Sequence, residues 1–243
     1  MTNATILYLT AVRENRTAVL ATVLEGARQG AKVARTLAGA SVGSLGSPEL
    51  DAALLPHLLD ALHRQEPARI ALASTDETLD IFLDVTAPPP RLIIIGAVHA
   101  AIALVTFGNT LGYQTIVLDN RTAFATPERM GDAAQLIVEW PADALQRLAL
   151  DDGCYLVFLT HDPKIDNPAL IVALNSPARY IGALGSRKTH ARRLASLHED
   201  GVPEALTQRI HAPVGLNIGA RSPEEIALSI IAEITAVRRG VTV

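Results

Sequence analysis

Arg91-Leu92-Ile93-Ile94-Ile95-Gly96-Ala97-Val98-His99-Ala100-Ala101 decides how this chain is read. The run Leu92 to Ile95 has no polar alternation, so it suits a strand buried on both faces, as a central parallel strand is. Gly96 ends the strand, and 100–111 reads as a helix. Strand, glycine turn and helix make the opening βα unit of a doubly wound sheet. Such sheets bind ligands at the carboxyl ends of their strands, where helix N-termini present free N–H groups.

Outward from that unit the α/β rhythm continues. Residues 113–119 read as a second strand ending in an acid, 135–138 as a third, 155–160 as a fourth and 180–184 as a fifth. Helices are expected over 141–150, from Asn167-Pro168 through Leu174, from Gly185-Ser186-Arg187-Lys188 through His198, and over 203–210. Ser222-Pro223-Glu224-Glu225 is a capping-box helix start with proline at the first position. Ile226, Ile230, Ile234 and Val237 give that helix its buried stripe, and Gly240 ends it.

The N-terminal side is less regular. Residues 1–16 are weakly patterned and read as partly mobile. Strands are expected over 17–24, 32–37, 70–73 and 79–85, with a turn region over 39–46. Ser47-Pro48-Glu49 opens a helix whose Leu50, Leu54, Leu55, Leu58, Leu59 and Leu62 recur at helical spacing. Pro88-Pro89-Pro90 continues neither sheet nor helix, and the domain boundary is placed there. The expected class is α/β: a Rossmann-like doubly wound parallel sheet over 88–243, with a smaller N-terminal α/β (α+β) domain over 1–87.

The chain has 243 residues, 49% hydrophobic, enough for well-filled cores. Its formal net charge of -4, with both signs mixed, speaks against a general nucleic-acid or anionic-membrane surface. The single cysteine, Cys154, excludes an internal disulfide and a cysteine-based zinc site, and is read as packing at a strand start. The start Met-Thr-Asn-Ala-Thr-Ile-Leu-Tyr lacks the basic region and long apolar core of a signal peptide. No apolar run approaches the roughly 18 residues of a membrane helix. A cytoplasmic protein is expected.

Gly96-Ala97-Val98-His99-Ala100-Ala101 stands where a dinucleotide-binding fold carries G-x-G-x-x-G/A. The middle glycine, which lets the backbone approach a pyrophosphate, is Val98. Asp119, 23 residues after Gly96, lies near where an acid would hold a ribose hydroxyl. The weak motif favours a doubly wound fold without NAD(P). His99, and the Thr160-His161-Asp162 turn after the fourth strand, should face one crevice. Two readings stay open for them: ligand contacts, or helix caps and loop ties, Asp162 being a good N-cap. Gly185-Ser186-Arg187-Lys188 offers N–H groups, a hydroxyl and cations at a helix start, an anion cradle. Arg192 and Arg193 further along read as a solvated basic face. The loop His211-Ala212-Pro213-Val214-Gly215-Leu216 has no regular pattern. No metal-ligand cluster, nucleophile elbow or paired carboxylates stand out, so no catalytic or metal-binding residue is assigned.

These stretches, with 116–128, 159–166, 178–188, 211–219 and 220–240, resemble the C-terminal domain of the XdhC/CoxI family, over roughly residues 90 to 240. The resemblance implies an accessory, non-catalytic protein for molybdenum hydroxylases such as xanthine dehydrogenase. Such a protein binds and protects the molybdenum cofactor (molybdopterin) and delivers it to the apo-enzyme. The cofactor-binding set it implies is Gly96, Ala97, Val98, His99, Asp119, Arg121, Thr160, His161, Asp162, Gly185, Ser186, Arg187 and Lys188. The expected partners are the apo-enzyme and a cysteine desulfurase, with the chain as a homodimer. The family's Gly-Ala-Gly-His is here Gly96-Ala97-Val98-His99, and its N-terminal cysteine-bearing glycine motifs have no cysteine in 43–50 or 76–85. Two rival readings are an NAD(P)-dependent oxidoreductase using the same crevice and a degenerate interaction scaffold.

Overall fold

The computed structural model describes residues 1–26, 28–73 and 78–241, so Asp76 and Glu77, which open the cysteine-free stretch 76–85, lie outside the described residues. The chain divides into two compact units, Met1–Pro88 and Pro89–Val243.

The first unit runs α1 (Asn3–Arg13), β1 (Ala18–Glu25), β2 (Lys32–Thr36), β3 (Ser41–Gly43), α2 (Pro48–Arg64), β4 (Ala68–Ala73) and β5 (Thr78–Thr86). Its strands pair antiparallel in the order β3-β2-β1-β5-β4. Residues 3–13, expected to be partly mobile, form α1, whose Ala4, Tyr8 and Ala11 pack on Ala18, Leu20 and Ala34 of one sheet face. A stripe of two alanines and a tyrosine carries little apolar signal in sequence, yet it seals that face. On the other face α2 buries Leu50, Leu54, Leu58 and Leu62, whereas Leu55 and Leu59 are exposed. Ser47 caps α2 and Pro48 follows it, as expected. The 39–46 turn region contains β3, where Gly43 is required: a Cβ there would lie 2.1 Å from the Lys32 carbonyl oxygen.

The second unit runs β6 (Arg91–Ile95), α3 (His99–Thr110), β7 (Gln114–Leu118), α4 (Pro127–Met130), β8 (Gln135–Ile137), α5 (Pro141–Arg147), β9 (Cys154–Phe158), α6 (Pro163–Leu174), β10 (Tyr180–Ala183), α7 (Arg187–Glu199), α8 (Glu204–Thr207), β11 (Ile210–His211) and α9 (Pro223–Arg238). All six strands are parallel, in the order β8-β7-β6-β9-β10-β11. Numbered within the unit this is 3-2-1-4-5-6, the doubly wound Rossmann order. β6 lies between β7 and β9, Ile93 aligned with Ile116 on one side and Leu156 on the other. Its residues alternate between two cores. Leu92 and Ile94 face α3 and α9, and Ile93 and Ile95 face α5, α6 and α7. Each such fully buried side chain contributes about 1.5–3 kcal/mol.

Three expectations shift. The sixth helix begins at Pro163 with Asp162 as N-cap, not at Asn167, and it accommodates Pro168 in its second turn. The helix expected over 203–210 is only Glu204–Thr207. The loop from His211 begins with a short strand, because Ile210 and His211 add to β10 at Ile181 and Gly182. The last helix carries its capping box as read, with Ile230 and Ile234 fully buried.

Candidate functional site

The loops after β6, β7, β9 and β10 lie at the carboxyl ends of the parallel strands. Gly96, buried at φ +108°, joins the first to the third: a Cβ on it would stand 2.8 Å from Thr160 Cγ2 and 3.2 Å from Thr160 N. No side chain could occupy that position without parting the strand ends. Ala97 is fully buried, and its N–H donates to Asp119 Oδ2 at 2.8 Å. Val98 is the N-cap of α3 in extended backbone (φ −84°, ψ 175°) and packs on the core shared by α3 and α9. A valine offers no acceptor, so no side chain caps α3.

Asp119, expected as the last residue of the second strand, directly follows β7 and is committed internally. Its Oδ1 accepts from Arg121 N (2.9 Å) and Nε (2.8 Å), and its Oδ2 from Ala97 N and Arg121 Nη2 (2.7 Å). Four donors meet the roughly four lone-pair directions of a carboxylate. Burial pushes this carboxyl up, but the hydrogen bonds from Arg121 and Ala97 outweigh it and hold it below its ordinary value. Arg121 also lies over the Phe124 ring at 4.4 Å and feels Asp162 and Asp166 across the loops.

Thr160 is buried under Gly96 and donates its hydroxyl to Asp166 Oδ1. Asp166, itself 1% exposed, sits in the first turn of α6. Burial pushes its carboxyl up to about 6, more than Thr160 and the Arg193 charge pull it down. Arg193, expected on a solvated face, is 7% exposed. It lies one turn before buried Leu197, and that spacing is the signal that places it on the inward stripe of α7. Its Nη2 donates to the Leu184 carbonyl at 3.0 Å and lies 3.7 Å from Asp166 Oδ2. Arg192 is exposed, as expected.

The two histidines are not brought together. His161 is exposed and lines a cleft of about 290 Å³ between α6 and α7, with Asp166, Thr189, Arg192 and Arg193. His99 is exposed and lines an apolar cleft of about 410 Å³ between α3 and α9, with Ile102, Phe107 and Glu224. These clefts open on opposite faces of the sheet. Asp162 is exposed and caps α6 by accepting from Lys164 N at 2.9 Å. Ser186 caps α7 by accepting from Thr189 N at 3.2 Å, and Gly185 at φ +144° lets Thr189 press against the turn. Arg187 and Lys188 are exposed on the first turn of α7.

Sequence reasoning also missed a buried knot on the other side. Glu233 of α9 accepts the Tyr180 hydroxyl and the Gly215 N–H (2.8 Å) on Oε2, while its Oε1 lies 3.3 Å from His211 Nδ1. Cys154 is buried at the start of β9, as read, and burial pushes its thiol up to about 12. Among the described residues no group of three His, Cys, Asp or Glu side chains is placed to hold a metal ion. No described helix is long and apolar enough to cross a membrane.

The second unit is a Rossmann-type domain in which the acid after the second strand is paired with its own Arg121 and the turn after the first strand carries Val98. Residues 92–234 match the XdhC Rossmann domain family, and the chain belongs to that family. It is 30% identical over 214 residues to the uncharacterized protein YqeB of Escherichia coli K12, covering 83% of this chain and 39% of that protein. It is 33% identical over 168 residues to a probable xanthine dehydrogenase subunit of Bacillus subtilis 168 (69% and 49% covered). It is 32% identical over 151 residues to the molybdenum cofactor insertion chaperone PaoD of E. coli K12 (62% and 41% covered). The chain thus spans less than half the length of each of these curated relatives. A crystal structure described as a xanthine dehydrogenase from Bacillus halodurans shares the fold over 99% of this chain and 97% of its own, with TM-score 0.58 and 22% identity.

Proposed function

We propose that this chain is a non-catalytic accessory protein for a molybdenum hydroxylase of the xanthine dehydrogenase type, which binds the molybdenum cofactor as cargo and hands it to the apo-enzyme. The observation that carries this reading is the sealing of Asp119: all four of its hydrogen bonds go to Ala97 and Arg121, so the dinucleotide grip is spent on holding the loops. The names of the relatives support the cargo. On this reading the phosphate end meets the uncapped first turn of α3 or the exposed Arg187 and Lys188 beside the Ser186 turn. The one cysteine is buried with a raised thiol pKa, so the chain grips the organic part of the cargo rather than its metal through a thiolate. The protein works in the cytoplasm as a homodimer, with the apo-enzyme and a cysteine desulfurase as partners.

The test is retention. Purified chain mixed with released molybdenum cofactor and passed over a sizing column should carry molybdenum and, after oxidation, pterin fluorescence in its own fraction, and that fraction should activate apo-xanthine dehydrogenase. Calorimetry with NAD(H) and NADP(H) should show no binding. Micromolar affinity for either, together with no retained pterin, would defeat the proposal and restore the oxidoreductase reading. Replacing Arg187 and Lys188 together by alanine should weaken retention and leave the circular dichroism spectrum unchanged, since both are exposed.

A further inference from the structure

The cleft between α6 and α7 holds a buried ion pair whose hydrogen bonding is incomplete. Asp166 Oδ1 accepts from Thr160, but Oδ2 has the Arg193 guanidinium at 3.7 Å, beyond hydrogen-bond length. Arg193 spends Nη2 on the Leu184 carbonyl, while its Nη1 is buried with no acceptor among the described residues. Both side chains line the cleft and both are more than nine-tenths buried. A buried guanidinium nitrogen without an acceptor is costly, and proteins rarely keep one without a use. The wall is fixed: Asn167 Nδ2 donates to Ser196 Oγ at 2.9 Å, tying α6 to α7.

The Asp166 carboxylate and the Arg193 guanidinium therefore stand side by side in the wall of a cleft of about 290 Å³. We propose that this pair reads the pyrimidine edge of a 2-amino-4-oxo heterocycle, the edge shared by pterins and guanine. The Asp166 carboxylate accepts from the ring N–H and the exocyclic amine, and Arg193 Nη1 donates to the neighbouring carbonyl oxygen. A bare phosphate fits worse, because Asp166 would face it with like charge. Adenine fits worse as well, since its edge lacks two adjacent donors for a carboxylate. A site built from buried polar groups rejects ligands that leave those groups unpaired. This deepens the proposed function and rests on it in one respect: the pterin is the expected source of the edge.

The experiment is a fluorescence titration of the full chain with neopterin at pH 7.5, with guanosine and adenosine in parallel arms and molybdopterin retention run on the same samples. Wild type should bind neopterin and not adenosine. Asp166→Asn, which turns an acceptor into a donor, and Arg193→Lys, which removes the forked donor, should each weaken neopterin by at least about tenfold, the loss of one charge-assisted hydrogen bond. Circular dichroism reports folding; should Arg193→Lys fail to fold, Asp166→Asn decides alone. Neopterin binding that neither variant changes overturns the inference. Retained molybdopterin without neopterin binding overturns it and leaves the accessory role standing. Neopterin binding lost in Asp166→Asn without retained molybdopterin upholds the heterocycle site and sinks the accessory role. Guanosine binding tighter than neopterin upholds the edge recognition and moves its source to a guanine nucleotide. Binding of neither heterocycle nor cofactor overturns both.

Discussion

Glu233 holds its carboxylate against burial because three groups converge on it. Burial pushes the group up, and the hydrogen bonds from His211, Tyr180 and Gly215 more than reverse that. The Tyr180 hydroxyl and the Gly215 N–H both depend on Oε2, so Glu233→Ala leaves one buried donor, the Tyr180 hydroxyl, and one half-buried donor, the Gly215 N–H, unmet. An orphaned buried donor costs about 1–3 kcal/mol and the half-buried Gly215 N–H can turn to solvent, so urea unfolding should show a loss of about 1–3 kcal/mol. A loss below ~0.5 kcal/mol would mean that water replaces the carboxylate without penalty. Asp166 gives the opposite case. Its folded pKa of about 6 lies above the ordinary 3.8, so folding favours the protonated form. Its contribution is therefore present below pH ~4 and is lost as pH rises through about 6. Arg193, Asp162 and Arg121 are the charges around it. Asp166→Asn cannot ionise, so its melting temperature relative to wild type should rise between pH 4 and 7.5. An equal difference at both pH values would show that the ionised carboxylate is as welcome as the neutral one.

Among the elements, α9 has the most complete terminal chemistry. Ser222 Oγ accepts from Glu225 N at 3.2 Å, and Glu225 Oε2 accepts from Ser222 N at 3.0 Å and Arg221 N at 2.7 Å. Ser222→Ala should cost about 1 kcal/mol by thermal or urea unfolding, and an unchanged midpoint would show that solvent caps this exposed helix end equally well. This cap was legible in the sequence because it is local: four consecutive residues carry it. The central strands were legible for a similar reason, since a run such as Leu92 to Ile95 can be satisfied only between two cores. Burial of a polar residue is not local. Arg193 and Arg192 are adjacent and chemically identical, and with Leu197 the one other buried residue of α7, the helix offers only a faint inward stripe to tell them apart. The start of α6 failed for another reason. Asp162-Pro163 and Asn167-Pro168 are equivalent start signals five residues apart, and the chain takes the first and tolerates the second proline. The expected convergence of His99 with His161 was an inference from topology; the helices after β6 and β9 lie on opposite faces and carry the two side chains to separate clefts.

At the scale of the molecule, every residue assigned to cargo lies between Gly96 and Arg193, inside the unit Pro89–Val243. That unit carries a filled core on each face of its own six-stranded sheet, and its strand order is complete without any strand from the first unit. About 155 residues is ample for an independent fold. We predict that residues 89–243 alone form a stable domain that binds neopterin as the full chain does. Expression of that segment should give a soluble protein with a single cooperative thermal transition, and its neopterin affinity should match the full chain within about threefold. Failure to fold would mean that the two cores are insufficient without the first unit. A folded segment that no longer binds would place part of the recognition in Met1–Pro88, where Ser44 donates to Asp51 at 2.6 Å in the stretch that lacks the cysteine-bearing motif. Delivery to an apo-enzyme is a separate matter. A segment that binds like the full chain yet fails to activate apo-xanthine dehydrogenase would assign hand-over to the first unit and capture to the second.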